Sequence, residues 1–319
     1  MVDMWYIGFD IGGTKCAVSL GRWENQEISI VERQETPTKS NPLDTMEALA
    51  IYVEAWMVNY NVTKAGISCG GPLDSNKGII ISTPNLSNEW HGFEIVAYIQ
   101  SRFGLYAKLE NDANASAVAE WKFGAGRGAM NVIFMTFGTG LGAGLILDGK
   151  LYSGTNGNAG EIGHIRLEED GPIGYNKAGS AEGFCSGGGI KRLAQIRAEE
   201  KEIVLDNNIT TKIIFEKAKQ GDEFCLSVVR ESAEKFAKVV SLLIDLFNPE
   251  VIVAGGVFMR NYDMFMSFIT PIIERESLTD SYKVCKILPA QIGENIGDYA
   301  ALAVAISESE HERNDKENI

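Results

Sequence analysis

The chain has 319 residues, 45% of them hydrophobic and 23% charged, an ordinary composition for a globular protein with more than one hydrophobic core. Its formal net charge is −14 and its pI is about 4.8, so its overall electrostatics repel a phosphate backbone. We therefore expect two domains and no nucleic-acid partner.

The sequence also indicates the compartment. The first residues lead into an apolar segment without a basic region or a cleavage site, so we expect no signal peptide. The apolar stretch from Val239 to Phe247 is short and contains Asp245, so we expect no membrane span. The five cysteines are scattered and form no CxxC pair. This pattern is typical of reduced, mostly buried thiols in a cytoplasmic protein.

The first part of the chain predicts strands interrupted by helices. Apolar residues at helical spacing follow Pro42, and a glycine pair joins the first two strand-like runs as a hairpin. The predicted strands are Tyr6–Asp10, Cys16–Leu20, Ile28–Glu32, Lys64–Cys69, Gly78–Ser82 and Tyr106–Leu109. The predicted helices are Leu43–Asn59, Phe93–Phe103 and Ala113–Phe123.

The pattern then restarts. The predicted strands are Asn131–Thr136, Ala143–Leu147, Val251–Val253 and Lys283–Leu288, and the segment from Ser153 to Ile173 is irregular. The predicted helices are Glu182–Glu200, Thr210–Gln220, Glu223–Phe247, Tyr262–Glu276 and Gly297–Ser307. An apolar strand, a Gly/Thr turn and a second apolar strand occur in both parts, which predicts duplicated α/β halves with a ligand between them.

The glycine-rich run from Phe137 to Gly144 approximates the GxGxxG fingerprint. A dinucleotide fold requires a helix after this loop, whereas Ala143–Leu147 is typical of a strand. Three interpretations remain: a cradle for phosphate, a structural glycine hairpin, or a dinucleotide site. The sequence favours the first, because a glycine hairpin presents backbone N–H groups to an anion.

Two acidic residues stand at turns. Asp10 ends a strand beside a glycine turn, so it either binds Mg²⁺ through water or caps the turn. Asp112 lies where a strand meets a helix, so it is either an N-cap or a general base.

Lys15 either contacts phosphate or is simply exposed, and the residue pattern favours exposure. Gly70-Gly71-Pro72 is either a close approach to a ligand or a plain tight turn.

A third polar group lies in glycine-rich backbone. Glu161 and His164, with Glu182 further on, can be metal ligands, contacts to a polyol, or solvent-exposed side chains. Neither a cysteine nor a second histidine lies nearby, so a zinc site would be short of ligands. Hydrogen bonding to hydroxyl groups is the favoured functional interpretation.

Taken together and in order, these motifs resemble those of the ROK family (repressors, open reading frames and sugar kinases), within the actin-like ATPase superfamily. The similarity runs from Gly8 to about Ile306. The matching stretches are Asp10-Ile11-Gly12-Gly13-Thr14-Lys15, Gly70-Gly71-Pro72, Thr83-Pro84-Asn85-Leu86, Glu110-Asn111-Asp112-Ala113-Asn114-Ala115, Gly138-Thr139-Gly140-Leu141-Gly142, Gly160-Glu161-Ile162-Gly163-His164 and Ala254-Gly255-Gly256-Val257.

The resemblance implies an α/β fold of two actin-like (ribonuclease H-like) lobes with a ligand cleft between them. We expect residues 1–120 plus 298–312 to form a smaller N-terminal lobe, 121–297 a larger C-terminal lobe, and 313–319 a frayed polar tail. The implied activity is ATP-dependent phosphorylation of a hexose, glucokinase-like, with Mg²⁺ as cofactor. An N-acetylhexosamine, fructose or allose kinase is the alternative, and a non-catalytic sugar-binding or regulatory protein is another. Sugar and ATP are the expected partners, and a homodimer is also expected.

The resemblance also implies roles for individual residues. Asp112 is the catalytic base, and Asp10 orients Mg²⁺. The implied sugar contacts are Gly71, Asn85, Asn111, Asp112, Glu161, His164 and Glu182. The implied nucleotide contacts are Asp10, Gly12, Gly13, Thr14, Lys15, Gly138, Thr139, Gly140, Gly255 and Gly256, with Gly138–Gly140 at phosphate and the last two glycines against adenosine.

The chain departs from the family at one motif. After the histidine, the family usually carries CxCGxxGCxE, whose cysteines bind a structural zinc with that histidine. Counting back from Glu182, the three cysteine positions hold Ile173, Tyr175 and Ser180. None of these supplies a thiolate, so we expect no zinc. We expect packing to hold the loop from Asp170 to Ala181 instead.

Overall fold

The computed structural model describes residues 4–317, and beyond residue 307 its backbone alone. Contacts divide the chain into two compact units, each with its own core. Unit 1 comprises Met1–Gly128, Ser153–Asn158 and Glu294–Ile319, and unit 2 comprises Ala129–Tyr152 and Ala159–Gly293. The lobe boundaries expected at residues 120 and 298 stay predictions.

Unit 1 begins with seven strands and three helices. The strands are β1 (Met4–Ile11), β2 (Lys15–Glu24), β3 (Glu27–Pro37), β4 (Val62–Cys69), β5 (Leu73–Asp74), β6 (Ile79–Ile80) and β7 (Tyr106–Asn111). The helices are α1 (Pro42–Asn59), α2 (Ile95–Phe103) and α3 (Asp112–Phe123). The predicted first hairpin is confirmed, since β1 and β2 pair antiparallel with Ile11 opposite Cys16.

The main sheet of unit 1 has the order β3-β2-β1-β4-β7. β1, β4 and β7 are parallel, whereas β2 and β3 run antiparallel to their neighbours. The carboxyl ends of the parallel strands meet at one edge of a sheet. That edge of this sheet carries Asp10, Gly70, Gly71, Asn111 and Asp112.

Unit 2 contains the next strands and helices. The strands are β8 (Val132–Phe137), β9 (Leu141–Leu147), β10 (Lys150–Tyr152), β11 (Ile173–Gly174), β12 (Lys177–Ala178), β13 (Val251–Ala254) and β14 (Lys286–Pro289). The helices are α4 (Ala181–Cys185), α5 (Gly187–Glu200), α6 (Thr211–Lys219), α7 (Glu223–Phe247), α8 (Gly256–Arg260), α9 (Tyr262–Glu276) and α10 (Thr279–Val284).

The main sheet of unit 2 repeats the topology of the first. Its order is β10-β9-β8-β13-β14, with β8, β13 and β14 parallel and the other two antiparallel. The turn after β8 therefore corresponds to the turn after β1, and Gly255-Gly256 after β13 corresponds to Gly70-Gly71 after β4. The predicted duplication of α/β halves is confirmed.

The last helix, α11 (Ile296–Glu317), returns to unit 1 and packs on β1, β4 and α3. Its stripe of buried small and aliphatic residues runs from Ala300 to Ile306. Leu302 lies against Gly8 and Gly21, two positions where the backbone leaves room for it. The frayed tail predicted for 313–319 falls partly on the end of this helix and partly on residues 318 and 319, which lie outside the described residues. It stays a prediction.

Two element predictions are wrong. The helix predicted for Glu182–Glu200 is two helices, because Ser186 leaves helical geometry between α4 and α5 and its hydroxyl caps α5 at the Gly189 N–H. The strand predicted for Lys283–Leu288 begins only at Lys286, because α10 extends to Val284. An Asp280–Lys283 pair at i,i+3 supports that helix.

All five cysteines are buried and unpaired, as the sequence predicts. Burial raises the pKa of each thiol, Cys16, Cys69, Cys185, Cys225 and Cys285 alike. None of them is therefore poised as a thiolate nucleophile at neutral pH. Among the helices within residues 4–317, none is both long enough and apolar enough to cross a membrane.

Candidate active site

Asp112 lies where β7 ends and α3 begins. Asn111, not Asp112, is the N-cap, since the Asn111 Oδ1 accepts from the Ala113 N–H at 2.9 Å and the Asn114 N–H at 3.4 Å. This corrects the N-cap interpretation of Asp112, which is the first residue of the helix. Its Oδ1 accepts from the Ala113 N–H at 2.8 Å, and its Oδ2 lies toward Gly70. The carboxylate is therefore oriented by the helix N-terminus, where negative charge is favoured.

A buried acid braces this junction. Glu110 is only 5% exposed, and its Oε1 accepts from the Asn111 N–H at 2.9 Å and the Asn114 Nδ2 at 3.0 Å. The Ser75 hydroxyl donates to the same oxygen at 3.4 Å. No individual role was predicted for Glu110 or Asn114. Their spacing of four residues across a strand–helix junction is the signal that could have identified the pair.

Asp10 lies in a concentration of negative charge. Burial, and after it the nearby carboxylates of Asp298 and Asp112, raise the pKa of its carboxyl to about 6, against the lowering effects of Arg33 and Lys15. A carboxylate is the kind of hard oxygen donor that Mg²⁺ prefers, and a cation near Asp10 would relieve the repulsion from its acidic neighbours. The sequence did not predict Asp298 at this site, because it comes from the far end of the chain.

Asp298 is itself anchored in unit 1. Its Oδ1 accepts from the Ser19 hydroxyl at 2.7 Å, and its Oδ2 accepts from the Arg33 Nε at 2.8 Å. The preceding residue, Gly297, lies directly against the Asp10 carboxylate, and a Cβ there would collide with it. The start of α11 is thereby held beside Asp10 by β2 and β3.

The glycine turn after β1 packs on Asn85, another predicted site residue. A Cβ on Gly13 would collide with the backbone and side chain of Asn85, so the glycine permits their contact. The Thr38 hydroxyl donates to the Gly12 carbonyl at 2.6 Å, and the Thr38 N–H donates to the Thr14 carbonyl at 3.0 Å. Unit 1 thus places the turn beside Asn85.

The remaining site residues to consider in unit 1 are Gly71, Asn111 and Lys15. The space above Gly71 faces the Asn111 side-chain amide, with 3.2 Å between its Nδ2 and a Cβ built on the glycine. Gly71 and Asn111 therefore lie together as predicted site residues. Lys15 is exposed and pairs with Glu35 at 2.9 Å, so its contact with phosphate stays a prediction.

In unit 2, the turn Gly138-Thr139-Gly140 joins antiparallel strands β8 and β9. The dinucleotide interpretation is wrong, because a strand follows the loop where that fold needs a helix. The Gly187 N–H, at the start of α5, donates to the Gly138 carbonyl at 2.7 Å. No functional role was predicted for this helix start. The Ser186-Gly187-Gly188-Gly189 run before an apolar pattern was its only signal.

Gly255 and Gly256 lie against the same turn. Gly256 has a φ of +57°, and a Cβ there would collide with the Phe137 carbonyl. Only glycine meets both conditions without strain. Gly255 lies over the Phe134 ring, with 3.3 Å between a built Cβ and Cζ. Unit 2 therefore brings the predicted phosphate and adenosine glycines together.

Glu182 lies beside this turn as well. Its Oε2 accepts from the Leu141 N–H at 3.2 Å, and its Oε1 accepts from the Tyr175 N–H at 3.2 Å. A Cβ on Gly140 would lie 2.6 Å from Oε2, so the carboxylate rests on the turn itself. Two backbone donors hold Glu182 in one orientation.

Glu161 and His164 are joined through Tyr175. The Tyr175 hydroxyl donates to the Glu161 Oε2 at 2.7 Å, and the His164 ring meets the Tyr175 ring edge-on with centroids 5.5 Å apart. The Lys177 ammonium donates to the His164 carbonyl at 2.7 Å. Unit 2 thus brings the three predicted polar residues, Glu161, His164 and Glu182, around one tyrosine.

The loop before Glu182 is a β-hairpin. β11 and β12 pair across the two-residue turn Tyr175-Asn176, and the Ser180 hydroxyl donates to the Gly174 carbonyl at 3.0 Å. The Leu167 N–H adds a bond of 2.8 Å to the Gly179 carbonyl. Our expectation that packing holds this loop is therefore incomplete, because backbone hydrogen bonds hold it as well.

No group of three or more His, Cys, Asp and Glu side chains suited to holding a metal ion occurs in the described part of the chain. The three positions where the resemblance would place cysteines carry Ile173, exposed on β11, Tyr175 in the turn, and fully buried Ser180. The absence of zinc stays a prediction from the residue types.

Two sheets of the same ribonuclease H-like order, each with a glycine turn after its first parallel strand, define an actin-like fold. Residues 6–308 match the profile of the ROK family. The chain is 32% identical over 311 residues to a glucokinase of Streptomyces coelicolor, covering 94% of this chain and 96% of that protein.

Two solved structures are similar over the whole fold. A ROK glucokinase from Streptomyces griseus in complex with glucose and AMPPNP has 30% identity and a TM-score of 0.76, covering 95% of this chain and 99% of the other. A ROK hexokinase from Thermus thermophilus has 26% identity and a TM-score of 0.83, covering 97% and 100%. The chain belongs to the ROK family.

Proposed function

We propose that this chain is a glucokinase-like, ATP-dependent sugar kinase in which Asp112 is the general base. The observation that carries the assignment is the position of Asp112 at the carboxyl end of β7, with its Oδ1 held by the Ala113 N–H at 2.8 Å. Asn111 performs the capping, so the Asp112 carboxylate is not required to hold the helix. The proposal is further supported by whole-length similarity to glucokinases.

The chemistry follows from these roles. The Asp112 carboxylate accepts the proton of a sugar hydroxyl while that oxygen bonds to the γ-phosphorus, and the bond from phosphorus to the ADP oxygen breaks. The products are a sugar phosphate and ADP. Because little charge develops on the attacking oxygen in a loose transition state, an ordinary carboxylate is a sufficient base.

The other predicted residues divide between the substrates. Glu161, His164 and Glu182, with Gly71, Asn85 and Asn111, would bind sugar hydroxyls. Backbone N–H groups of the turn Gly138–Gly140 would bind phosphate, and Gly255 and Gly256 would lie against adenosine. Gly12, Gly13, Thr14 and Lys15 complete the proposed nucleotide set.

Asp10 would hold Mg²⁺ through water, which fits its place among carboxylates. The ion supplies positive charge that offsets the charge of the phosphates. A cytoplasmic location, a homodimer and the lack of a nucleic-acid partner remain part of the proposal. Sedimentation velocity tests the dimer directly.

The test is ADP release from Mg-ATP with glucose, an N-acetylhexosamine, fructose and allose. We expect turnover with at least one of them, glucose above the others. Asp112→Asn should lower kcat by about 10²- to 10⁴-fold. Asp44→Asn is the matched control, since Asp44 is an exposed acid in the first turn of α1. Sugar binding without ADP release would instead indicate a sugar-binding protein that is not a kinase.

A further inference from the structure

We propose that Tyr175 is the positioning residue of the sugar site: its hydroxyl fixes Glu161 and its backbone N–H fixes Glu182. The inference rests on the proposed sugar-binding role of these two glutamates. It adds a residue to which neither the sequence pattern nor the resemblance gives that role.

Tyr175 contacts both acids through different groups. The O–H donates to the Glu161 Oε2 at 2.7 Å, whereas the N–H donates to the Glu182 Oε1 at 3.2 Å. Each carboxylate keeps lone pairs for further donors, because an ionised carboxylate accepts about four hydrogen bonds. One residue therefore sets the orientation of two acceptors and leaves both able to bind hydroxyl groups.

The backbone of Tyr175 supports a functional origin for this arrangement. Tyr175 and Asn176 have φ of +52° and +56°, so the hairpin turn is of type I′. Such a turn favours Asn or Gly at its first position, and a tyrosine there is strained. Strained backbone concentrates at functional sites, where surrounding contacts maintain it.

The surroundings of Tyr175 hold it in place. The His164 ring packs edge-on against the tyrosine ring, and the Lys177 ammonium bonds the His164 carbonyl at 2.7 Å. Below the turn, the Ser180 hydroxyl ties the Gly174 carbonyl to the start of α4, the helix that carries Glu182. The hairpin thus connects all three proposed sugar contacts of unit 2 to one turn.

Two substitutions separate positioning from structural support. Tyr175→Phe removes only the hydroxyl. Tyr175→Asn removes the whole side chain but suits the positive φ of the turn, so we expect the unfolding midpoint to stay the same or rise. Tyr152→Phe, at a half-exposed tyrosine of β10, is the matched control.

Tyr175→Phe should raise the KM for the sugar about tenfold and leave the KM for ATP within twofold of the wild type. We expect tenfold rather than hundredfold because Tyr175 is 45% exposed and water competes for Glu161. Tyr175→Asn should raise the sugar KM at least as much. Sugar KM values within twofold of the wild type in both variants would overturn the inference.

A double-mutant cycle tests whether the hydroxyl acts through Glu161. In a Glu161→Ala background, Tyr175→Phe should raise the sugar KM no further. Additive effects of the two changes would overturn the assignment. Failure of the proposed function is distinguishable, because then the wild-type protein itself would release no ADP with any sugar.

Discussion

At the scale of single residues, Asn111 and Asp112 divide two tasks at the start of α3. Asn111 caps the helix through its side-chain oxygen, and Asp112 presents a carboxylate from the first helical position. We expect Asn111→Ala to lower the free energy of unfolding by about 1 kcal/mol, and Asp112→Asn to lower it by less. Urea denaturation of both variants measures this. Equal losses in the two variants would mean that the carboxylate shares the cap.

The raised pKa of Asp10 predicts how the stability of the fold depends on pH. Burial first, then Asp298 and Asp112, raise the pKa of its carboxyl from 3.8 to about 6 in the folded protein. The folded state therefore holds this proton more tightly than the unfolded state. Its contribution to stability is greatest below about pH 4 and is lost as the pH rises through about 6.

Asp10→Asn should remove that pH-dependent loss. At about pH 8 without Mg²⁺, the variant should be more stable than the wild type by roughly 1–3 kcal/mol, and near pH 4 this advantage should vanish. Urea denaturation at both pH values is the measurement. The same variant should lose activity with Mg-ATP. An advantage that does not change with pH would show that packing, rather than charge, explains it.

At the scale of elements, α4 and the β11–β12 hairpin depend on one buried hydroxyl. The Ser180 Oγ accepts from the Gly183 N–H at 3.1 Å and donates to the Gly174 carbonyl at 3.0 Å. Ser180→Ala leaves both groups without this partner and should cost about 1–3 kcal/mol of unfolding free energy. Ser227→Ala, at an exposed serine of α7, is the control. Equal thermal midpoints for the two variants would contradict the prediction.

Some elements of the fold could be predicted from the sequence, and others could not. The long amphipathic helix α7 and the two glycine hairpins follow from local pattern alone, and all three are present. The β11–β12 hairpin was not predicted, because Tyr175-Asn176 lacks the glycine that usually indicates a type I′ turn in a sequence. The break at Ser186 was missed because helical spacing continues across it.

At the scale of the whole molecule, unit 1 is assembled from distant parts of the sequence. The bond from Ser19 to Asp298 spans 279 positions, and Leu302 fills the space beside Gly8 and Gly21. Periodicity identified α11 as a helix but gave no partner for Asp298, because that contact depends on tertiary packing. Local composition predicted the glycine turns, whereas it did not predict that Asp298 lies beside Asp10.

The two units have separate hydrophobic cores, and the chain provides a spectroscopic distinction between them. All five tryptophans, Trp5, Trp23, Trp56, Trp90 and Trp121, lie in unit 1. Tryptophan fluorescence therefore follows the unfolding of unit 1, while far-ultraviolet circular dichroism follows both units. Leu302 is fully buried in unit 1, and Leu243 is 2% exposed in the core of unit 2.

Each leucine-to-alanine change should cost about 2–5 kcal/mol in its own unit. Since each unit has its own core, we expect Leu302→Ala to lower the urea midpoint seen by fluorescence, and Leu243→Ala to lower only the midpoint seen by circular dichroism. If Leu243→Ala shifts the fluorescence midpoint as far as Leu302→Ala does, the two units unfold as one cooperative body.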